Sequence, residues 1–152
     1  MNAPRLTVRN IRAVAVKVPM TYVLGTSVQA VREAPLLLVD LETEEGVTGH
    51  ACQFCYLPAA APAIVTMLDE VLRTVKGDVA APVELWEKLA RRFILIGVQG
   101  IVRMAMAMFD VACWDAVAKA AGVPPVSLLG ATRRAVPAYN SCGLGLKSSP
   151  SE

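Results

Sequence analysis

The sequence predicts an α+β domain in which a three-stranded antiparallel meander is followed by a group of helices. Strand-like segments rich in β-branched residues occupy the first third of the 152 residues, and helical apolar periodicity begins only after them. One later segment is apolar on almost every side, which is typical of a helix buried on almost every side. Because 55% of the residues are hydrophobic, the chain can bury a core of its own.

Three strands are predicted, over residues 5–18, 35–43 and 47–52. Pro19 is predicted to end the first strand, because proline cannot donate to a strand ladder. Residues 20–34 show no clean period and are predicted to form a long loop, of the kind that is usually functional or disordered. The run Glu44-Glu45-Gly46 favours a hairpin turn with the glycine at positive φ.

Three helices are predicted, over residues 58–76, 82–93 and 98–121. The first two each have one apolar face at spacings of three and four, and Gly77 is predicted to end the first. The third is interrupted only by Arg103, Asp110, Asp115 and Lys119. Its two aspartates and its short uncharged run argue against a membrane span. Gly122 and Pro124-Pro125 are predicted to end it, before a short turn over residues 126–129.

Composition and charge exclude several classes of function. The net charge is only +2 and no basic block occurs, so a nucleic-acid partner is not expected. No long apolar run follows the amino terminus, which is atypical of a signal peptide, and we expect a cytoplasmic protein without a membrane partner. Cys52 and Cys55 form a C-x-x-C pair, yet no helix begins at Cys52 and no second pair completes a zinc site. We therefore favour ordinary thiols over a redox or zinc site.

Acidic residues gather around the predicted hairpin at Asp40, Glu42, Glu44 and Glu45. Asp40 and Glu42 share one face of a strand, so a metal site is conceivable, but a solvated face is the favoured interpretation. His50 is the only histidine of the sequence. At a strand end it is expected to be half-buried and hydrogen-bonded rather than catalytic.

The third helix and the turn after it carry a family resemblance. The run Asp110-Val111-Ala112-Cys113-Trp114-Asp115, followed by Lys119, Gly122, Pro124 and Leu128-Leu129-Gly130, resembles the last long helix of the capping domain in the enolase superfamily. The likeness is to mandelate racemase and the muconate lactonizing enzymes. It implies a capping domain over residues 1–134. Residues 136–142, predicted as one more strand, then resemble the first strand of a (β/α) barrel, which would make residues 135–152 part of a second domain.

The resemblance also implies a chemistry. Enzymes of this family abstract the proton α to a carboxylate, with Mg²⁺ stabilising the enediolate and a lysine or histidine acting as base. The family's Lys-x-Lys motif, its three carboxylate metal ligands and its His-Asp dyad are all missing from this sequence. We therefore expect Mg²⁺ to be bound by a barrel outside this chain, and no catalytic or metal-binding residue within it. The expected partners are a small-molecule carboxylate substrate and further copies of the chain in a homo-oligomer.

The capping domain of such an enzyme supplies the lid over the substrate. The resemblance implies substrate-binding roles for Val23, Val28, Val31, Phe54, Tyr56 and Ser141. The three valines are similar in character to the valine-rich lid of the racemase, although packing within the cap would explain them equally. The Phe-Tyr pair corresponds to one that faces the racemase pocket, with packing against the first helix as the alternative. The serine corresponds to one beside the substrate carboxylate, and capping of a strand end is its alternative.

The chain departs from the racemase around that serine. The racemase has Asp before it and His after it, where this sequence has Asn140 and Cys142. Mandelate itself is therefore in doubt as the substrate. A racemase of a 2-hydroxy acid remains the leading interpretation. An acid-sugar dehydratase of the same superfamily and a free-standing, non-catalytic α+β interaction module are the alternatives.

Overall fold

A computed structural model describes residues 5–25 and 30–138, and within them the chain forms one sheet and four helices. The strands are β1 (Val8–Gly25), β2 (Ala30–Thr43) and β3 (Thr48–Phe54). The helices are α1 (Ala60–Val75), α2 (Pro82–Arg92), α3 (Ile101–Ala121) and the single turn α4 (Pro125–Leu128). The predicted α+β class and the order of strands before helices are confirmed.

The sheet is an antiparallel meander with the strand order β1-β2-β3. β1 pairs with β2 from Val8 opposite Thr43 to Gly25 opposite Ala30. The prediction that Pro19 ends the first strand is wrong. β1 lies at the edge of the sheet, and an edge strand tolerates a proline although it has no N–H to donate. The ladder passes through Pro19, opposite Glu33, and shifts register between Pro19 and Leu24.

The predicted loop over residues 20–34 is also wrong. Residues 20–25 continue β1 and residues 30–34 begin β2, so the two strands extend together as a ribbon, which we call the arm. The register shift breaks the period-two pattern of β1, so the sequence of this segment shows no strand periodicity. The segment is extended because it pairs with the neighbouring strand.

The hairpin between β2 and β3 forms as predicted. Gly46 takes φ +81°, and its amide donates to the carbonyl oxygen of Thr43 at 3.2 Å. Thr43 is fully buried, and its hydroxyl is 2.9 Å from the carbonyl oxygen and 3.1 Å from the amide nitrogen of Val47. The buried hydroxyl therefore makes hydrogen bonds with both backbone groups of Val47, across the turn.

The core lies between one face of the sheet and the helices. Alternate residues of β2, namely Leu37, Val39, Leu41 and Thr43, are buried on that face. α1 contributes Ile64, Leu68, Val71 and Val75, and α2 contributes Leu85 and Leu89. Both sets recur at the spacings of three and four that the sequence shows, as expected for amphipathic helices on a sheet.

α3 is the central helix, and it packs against β3, α1 and α2. Its buried side chains include Met106, Phe109 and Cys113, whereas Val111 is exposed. At Gly49 the strand approaches α3 so closely that an ideal Cβ would lie 1.9 Å from the carbonyl oxygen of Ala112. The helix ends at Gly122, which takes the left-handed conformation that the sequence indicates.

α3 also covers the outer edge of β3. The carboxylate of Asp115 accepts the amide of His50 at 2.8 Å, and the ammonium of Lys119 donates to the carbonyl oxygen of Thr48 at 3.0 Å. Asp115 and Lys119 are themselves paired at 2.6 Å. Asp115 and Lys119, one helical turn apart on α3, thus bond backbone groups of β3 that a fourth strand would otherwise bond. They protect an edge to which another chain could add.

The predicted last strand lies largely outside the described residues. Of residues 136–142, only residues 136–138 are described, and these are not in a strand. Val136 is exposed. The division into domains at residue 134 stays a prediction. Among the helices in the described ranges, none has the length and apolar character needed to cross a membrane.

Candidate functional site

The face of the sheet opposite the helices, which we call the outer face, is arranged in rows across the three strands. Register places Val16, Leu36 and Phe54 in one row and Val14, Leu38 and Cys52 in the next. The third row is charged and contains Arg12, Asp40 and His50. The apolar rows lie nearest the arm, so the outer face grades from charged near the hairpin turn to apolar near the arm.

Phe54 and Tyr56 form an aromatic corner at the end of β3. Their ring centroids are 5.0 Å apart and the ring planes are inclined at 72°, which is an edge-to-face arrangement. Tyr56 takes φ +59°, a left-handed conformation that a bulky residue rarely adopts, and it is 60% exposed. The edge-to-face pair therefore presents much of the Tyr56 ring to solvent.

The residue between the two aromatics anchors the corner. The Cys55 side chain is buried, and its amide donates to the carbonyl oxygen of Pro35 at 2.8 Å. The amide of Leu57 then donates to the carbonyl oxygen of Cys55 at 2.6 Å, which closes the turn through Tyr56. Burial, and secondarily the nearby Cys52, raises the pKa of the Cys55 thiol. A protonated, buried thiol here suits an anchoring role better than a nucleophilic one.

Two of the valines that the resemblance singles out, Val23 and Val31, lie on the arm. Val23 is 49% exposed, while Val31 is 6% exposed and stands opposite Leu24 in the ladder. The two valines of the arm therefore differ in their access to solvent. Val28 lies outside the described residues, as does Ser141, so the placement of both stays a prediction.

The acidic residues near the hairpin are held by ion pairs and backbone bonds. Glu42 pairs with Arg9 at 3.1 Å, and Asp40 pairs with Arg12 at 3.3 Å and with Nδ1 of His50 at 2.8 Å. Glu45 accepts the backbone amide of Thr7 at 2.8 Å. The hydrogen bond from His50, and then the charges of His50 and Arg12, lower the pKa of Asp40. His50 is hydrogen-bonded as predicted, but its side chain is 59% exposed rather than half-buried.

A magnesium site does not fit the described residues. They contain no group of three or more His, Cys, Asp or Glu side chains placed to share an ion. Asp40, Glu42 and Glu45, the acids most plausibly placed for one, are committed to the contacts above. These acids are paired and partly exposed, with 28% of the Asp40 side chain and 29% of the Glu42 side chain accessible to solvent.

Sequence reasoning missed the structural roles of Asp110 and Asp115 in α3. In the sequence both appear as polar interruptions of an apolar helix and as the two ends of the run that carries the family resemblance, and neither signal shows what the side chain contacts. Asp115 covers the edge of β3, whereas Asp110 faces α2 in a cavity with Trp114. The spacing of five residues does place the two on different sides of a helix, but only the packed structure shows what each one meets.

A family model described as the N-terminal domain of mandelate racemase / muconate lactonizing enzyme matches residues 8–130. The chain belongs to this family. The match covers all three strands and all four helices, so the enolase-type capping fold that the sequence predicts is confirmed.

Curated relatives of the chain are dehydratases. Arabinonate dehydratase of Saccharolobus solfataricus is 27% identical over 121 residues, which are 77% of this chain and 32% of that protein. L-talarate/galactarate dehydratase of Salmonella typhimurium is 27% identical over 112 residues, 73% of this chain and 28% of that protein. The chain thus spans about a third of the length of the curated relatives it matches.

Solved structures of enolase-superfamily proteins superpose on the chain. An enolase from Bradyrhizobium in complex with magnesium and mandelic acid has a TM-score of 0.83 at 36% identity, over 90% of this chain and 38% of that one. L-talarate dehydratase from Polaromonas sp. JS666, in complex with magnesium and L-glucarate, has a TM-score of 0.72 at 28% identity, over 91% of this chain and 36% of that one. Magnesium and small carboxylate ligands therefore occur in this family.

Proposed function

We propose that this chain is the capping, substrate-covering part of a magnesium-dependent enzyme that abstracts the proton α to a carboxylate, and that the reaction is the racemisation of a 2-hydroxy acid. The observation that carries the proposal is the apolar end of the outer face. There the row Val16, Leu36 and Phe54 ends at the aromatic corner, and the arm beyond it carries the exposed Val23.

Such a surface suits the distal part of a substrate with an apolar or aromatic group. Valine and phenylalanine side chains offer no hydrogen bonds to hydroxyl groups, so a polyhydroxylated chain would lose its water contacts there without replacement. An aromatic ring would instead gain an edge or face contact with the ring of Tyr56. The Bradyrhizobium relative that was crystallised with mandelic acid supports this substrate class by its 36% identity.

In this proposal the chain's own residues bind and shield, and they do not transfer the proton. The arm and the corner hold the distal group and exclude water from the reacting carbon, which strengthens every charge interaction there. The magnesium ion supplies charge stabilisation to this class of reaction. Its ligands and the base belong to the proposed barrel part of the enzyme.

The second candidate is the dehydration of an acid sugar. The curated relatives are named dehydratases, and Arg32 on the arm is exposed beside Val31. A guanidinium at this position suits a second carboxylate, such as that of a sugar diacid, better than an apolar ring. This candidate therefore makes Arg32, rather than the aromatic corner, the residue that selects the substrate.

Variants of an enzyme carrying this cap separate the two candidates. For a 2-hydroxy acid with an apolar group, Tyr56→Ala, Val23→Arg and Val28→Arg should each raise KM or change substrate preference without abolishing magnesium binding, while Arg32→Gln leaves kcat/KM within about twofold. For a sugar diacid, Arg32→Gln should raise KM or change the substrate preference, and the three other variants should leave kcat/KM within about twofold. Val79→Arg, at the opposite end of the sheet from the arm, is the control. Wild-type kinetics in the variants at Val23, Val28, Arg32 and Tyr56, on every accepted substrate, would contradict the lid assignment.

A further inference from the structure

A groove of about 280 Å³, open to solvent, lies between α2 and α3, and we call it the α2–α3 cavity. The proposed lid does not involve it. The cavity is lined by Val83, Trp86, Glu87, Asp110 and Trp114. Trp86 and Glu87 lie three and four residues after Val83 on α2, and Trp114 lies four residues after Asp110 on α3. Residues at these spacings share one face of a helix, so each helix lines the cavity with a single face. The cavity thus combines two indole rings with two carboxylates.

Asp110 differs from the other acids of the helices. It is half-buried, and none of the ion pairs among the described residues includes it. Desolvation raises the pKa of its carboxyl group, although a hydrogen bond with the Trp114 side chain opposes this shift. Asp110 also contributes, after burial, to raising the pKa of Cys113 to about 12. A partly desolvated carboxylate without a cation gains from a cationic partner.

The indole rings offer the complementary half of such a site. The guanidinium of Arg103 already lies 5.0 Å from the centroid of the Trp86 ring, so this ring takes part in a cation–π contact within the chain. Glu87, which also lines the cavity, pairs with Arg91 of α2 at 3.6 Å. Asp110 is therefore the one carboxylate of the cavity whose charge has no cation among the described residues.

We propose that the α2–α3 cavity binds a small organic cation, an alkylammonium or guanidinium group, with its apolar surface against Trp86 and Trp114 and its charge against Asp110. The volume is at the small end of ligand pockets, which suits a head group rather than an extended ligand. The cation can be free in solution or be the end of an arginine or lysine side chain, because the recognised chemistry is the same.

Tryptophan fluorescence reports on this cavity alone, because both tryptophans of the sequence line it. We expect tetramethylammonium chloride to give a saturable change in the emission of the 152-residue chain, half-complete at about 1–10 mM, that sodium chloride at equal ionic strength does not reproduce. Asp110→Asn should weaken this binding at least tenfold, with the far-ultraviolet circular dichroism spectrum unchanged. Glu84→Gln, an exposed carboxylate on α2, is the matched control and should bind as the wild type.

A second titration, with N-acetyl-arginine amide, separates the two sources of the cation. Binding at least tenfold tighter than tetramethylammonium assigns the cavity to an arginine side chain, and equal or weaker binding assigns it to a free alkylammonium ion. The proposal is overturned if neither probe differs from sodium chloride, or if Asp110→Asn binds within threefold of the wild type. Neither result would bear on the lid, whose variants are read by enzyme kinetics.

Discussion

Replacing Gly49 with alanine is the sharpest test of how the sheet and the central helix fit together. An added Cβ would lie 1.9 Å from the Ala112 carbonyl oxygen and 2.9 Å from the Cβ of Ala116. A carbon–oxygen contact is ordinarily about 3.3 Å, so β3 and α3 would have to separate locally by about 1.4 Å. The obstacle is helix backbone, which cannot rotate out of the way as a side chain can.

This separation would also loosen the contacts that cover the edge of β3. The 2.8 Å bond from the His50 amide to Asp115 and the 3.0 Å bond from Lys119 to the Thr48 carbonyl oxygen span the same gap. Overpacking costs about 1–3 kcal/mol, and losing one hydrogen bond to a charged group costs about 1.5–3 kcal/mol. We therefore expect Gly49→Ala to lower the free energy of unfolding by about 3–5 kcal/mol, a large part of a typical domain's stability.

Urea unfolding, followed by circular dichroism on the 152-residue chain at a concentration where sedimentation shows one species, measures this loss. Gly77→Ala is the control, because Gly77 takes φ +84° with nothing within 4 Å of its Cβ position. It should lose only about 1–2 kcal/mol from left-handed strain. Hydrogen exchange at the His50 amide supplies a local measurement. The reasoning is refuted if Gly49→Ala is no less stable than Gly77→Ala and the His50 amide keeps its protection.

Asp115→Ala should cost about 1.5–3 kcal/mol at pH 7, and an unchanged urea midpoint at that pH would contradict it. Desolvation works to raise the pKa of Asp115, but its bonds to Lys119 and His50 lower it overall, so this stability is lost as pH falls through the lowered pKa. Asp110→Asn should stabilise the chain at pH 7, because burial raises the pKa of Asp110 and so disfavours its charged form in the folded chain. The gain over wild type should vanish as pH falls through that pKa and the wild-type carboxyl becomes neutral. A lower melting temperature than wild type at pH 7 would refute this prediction. Calorimetry should detect no stoichiometric micromolar Mg²⁺ binding to the 152-residue chain, because the described residues assemble no acidic cluster, and such binding would disprove the account. The isolated chain should self-associate, because Ile94, Leu95 and Ile96 are exposed after α2 and the outer face of the sheet exposes further apolar side chains such as Val14 and Leu38. A monodisperse monomer in sedimentation with a sharp thermal transition would favour the free-standing module instead.

The order of elements could be predicted from the sequence because each segment carries its own signal. The period of α1 and α2, the apolar run of α3, and the stops at Gly77 and Gly122 are local features, and the structure confirms all of them. The family resemblance likewise rested on a contiguous run in α3, and the match over residues 8–130 confirms it.

The arm could not be predicted because its regularity belongs to two strands and not to one. Residues 20–25 lose their alternation at the register shift after Pro19, and they become a strand only because residues 30–34 lie alongside. The lid valines were assigned by resemblance, and in the structure Val23 is exposed whereas Val31 is buried. Their roles, with those of Phe54 and Tyr56, stay predictions.

By itself, the sequence determined the α+β class, the meander, the buried central helix and the family, because these depend on hydrophobic period and on residue types close together in the chain. Only the tertiary structure decided what each polar group of α3 faces. Asp110 and Asp115 are equivalent as interruptions of one apolar helix, yet one lines a cavity against α2 and the other covers a strand edge 65 residues away in the sequence. The physical reason is that the charge state and the role of a carboxylate depend on its partners and on its access to water, and both are set by how distant elements pack.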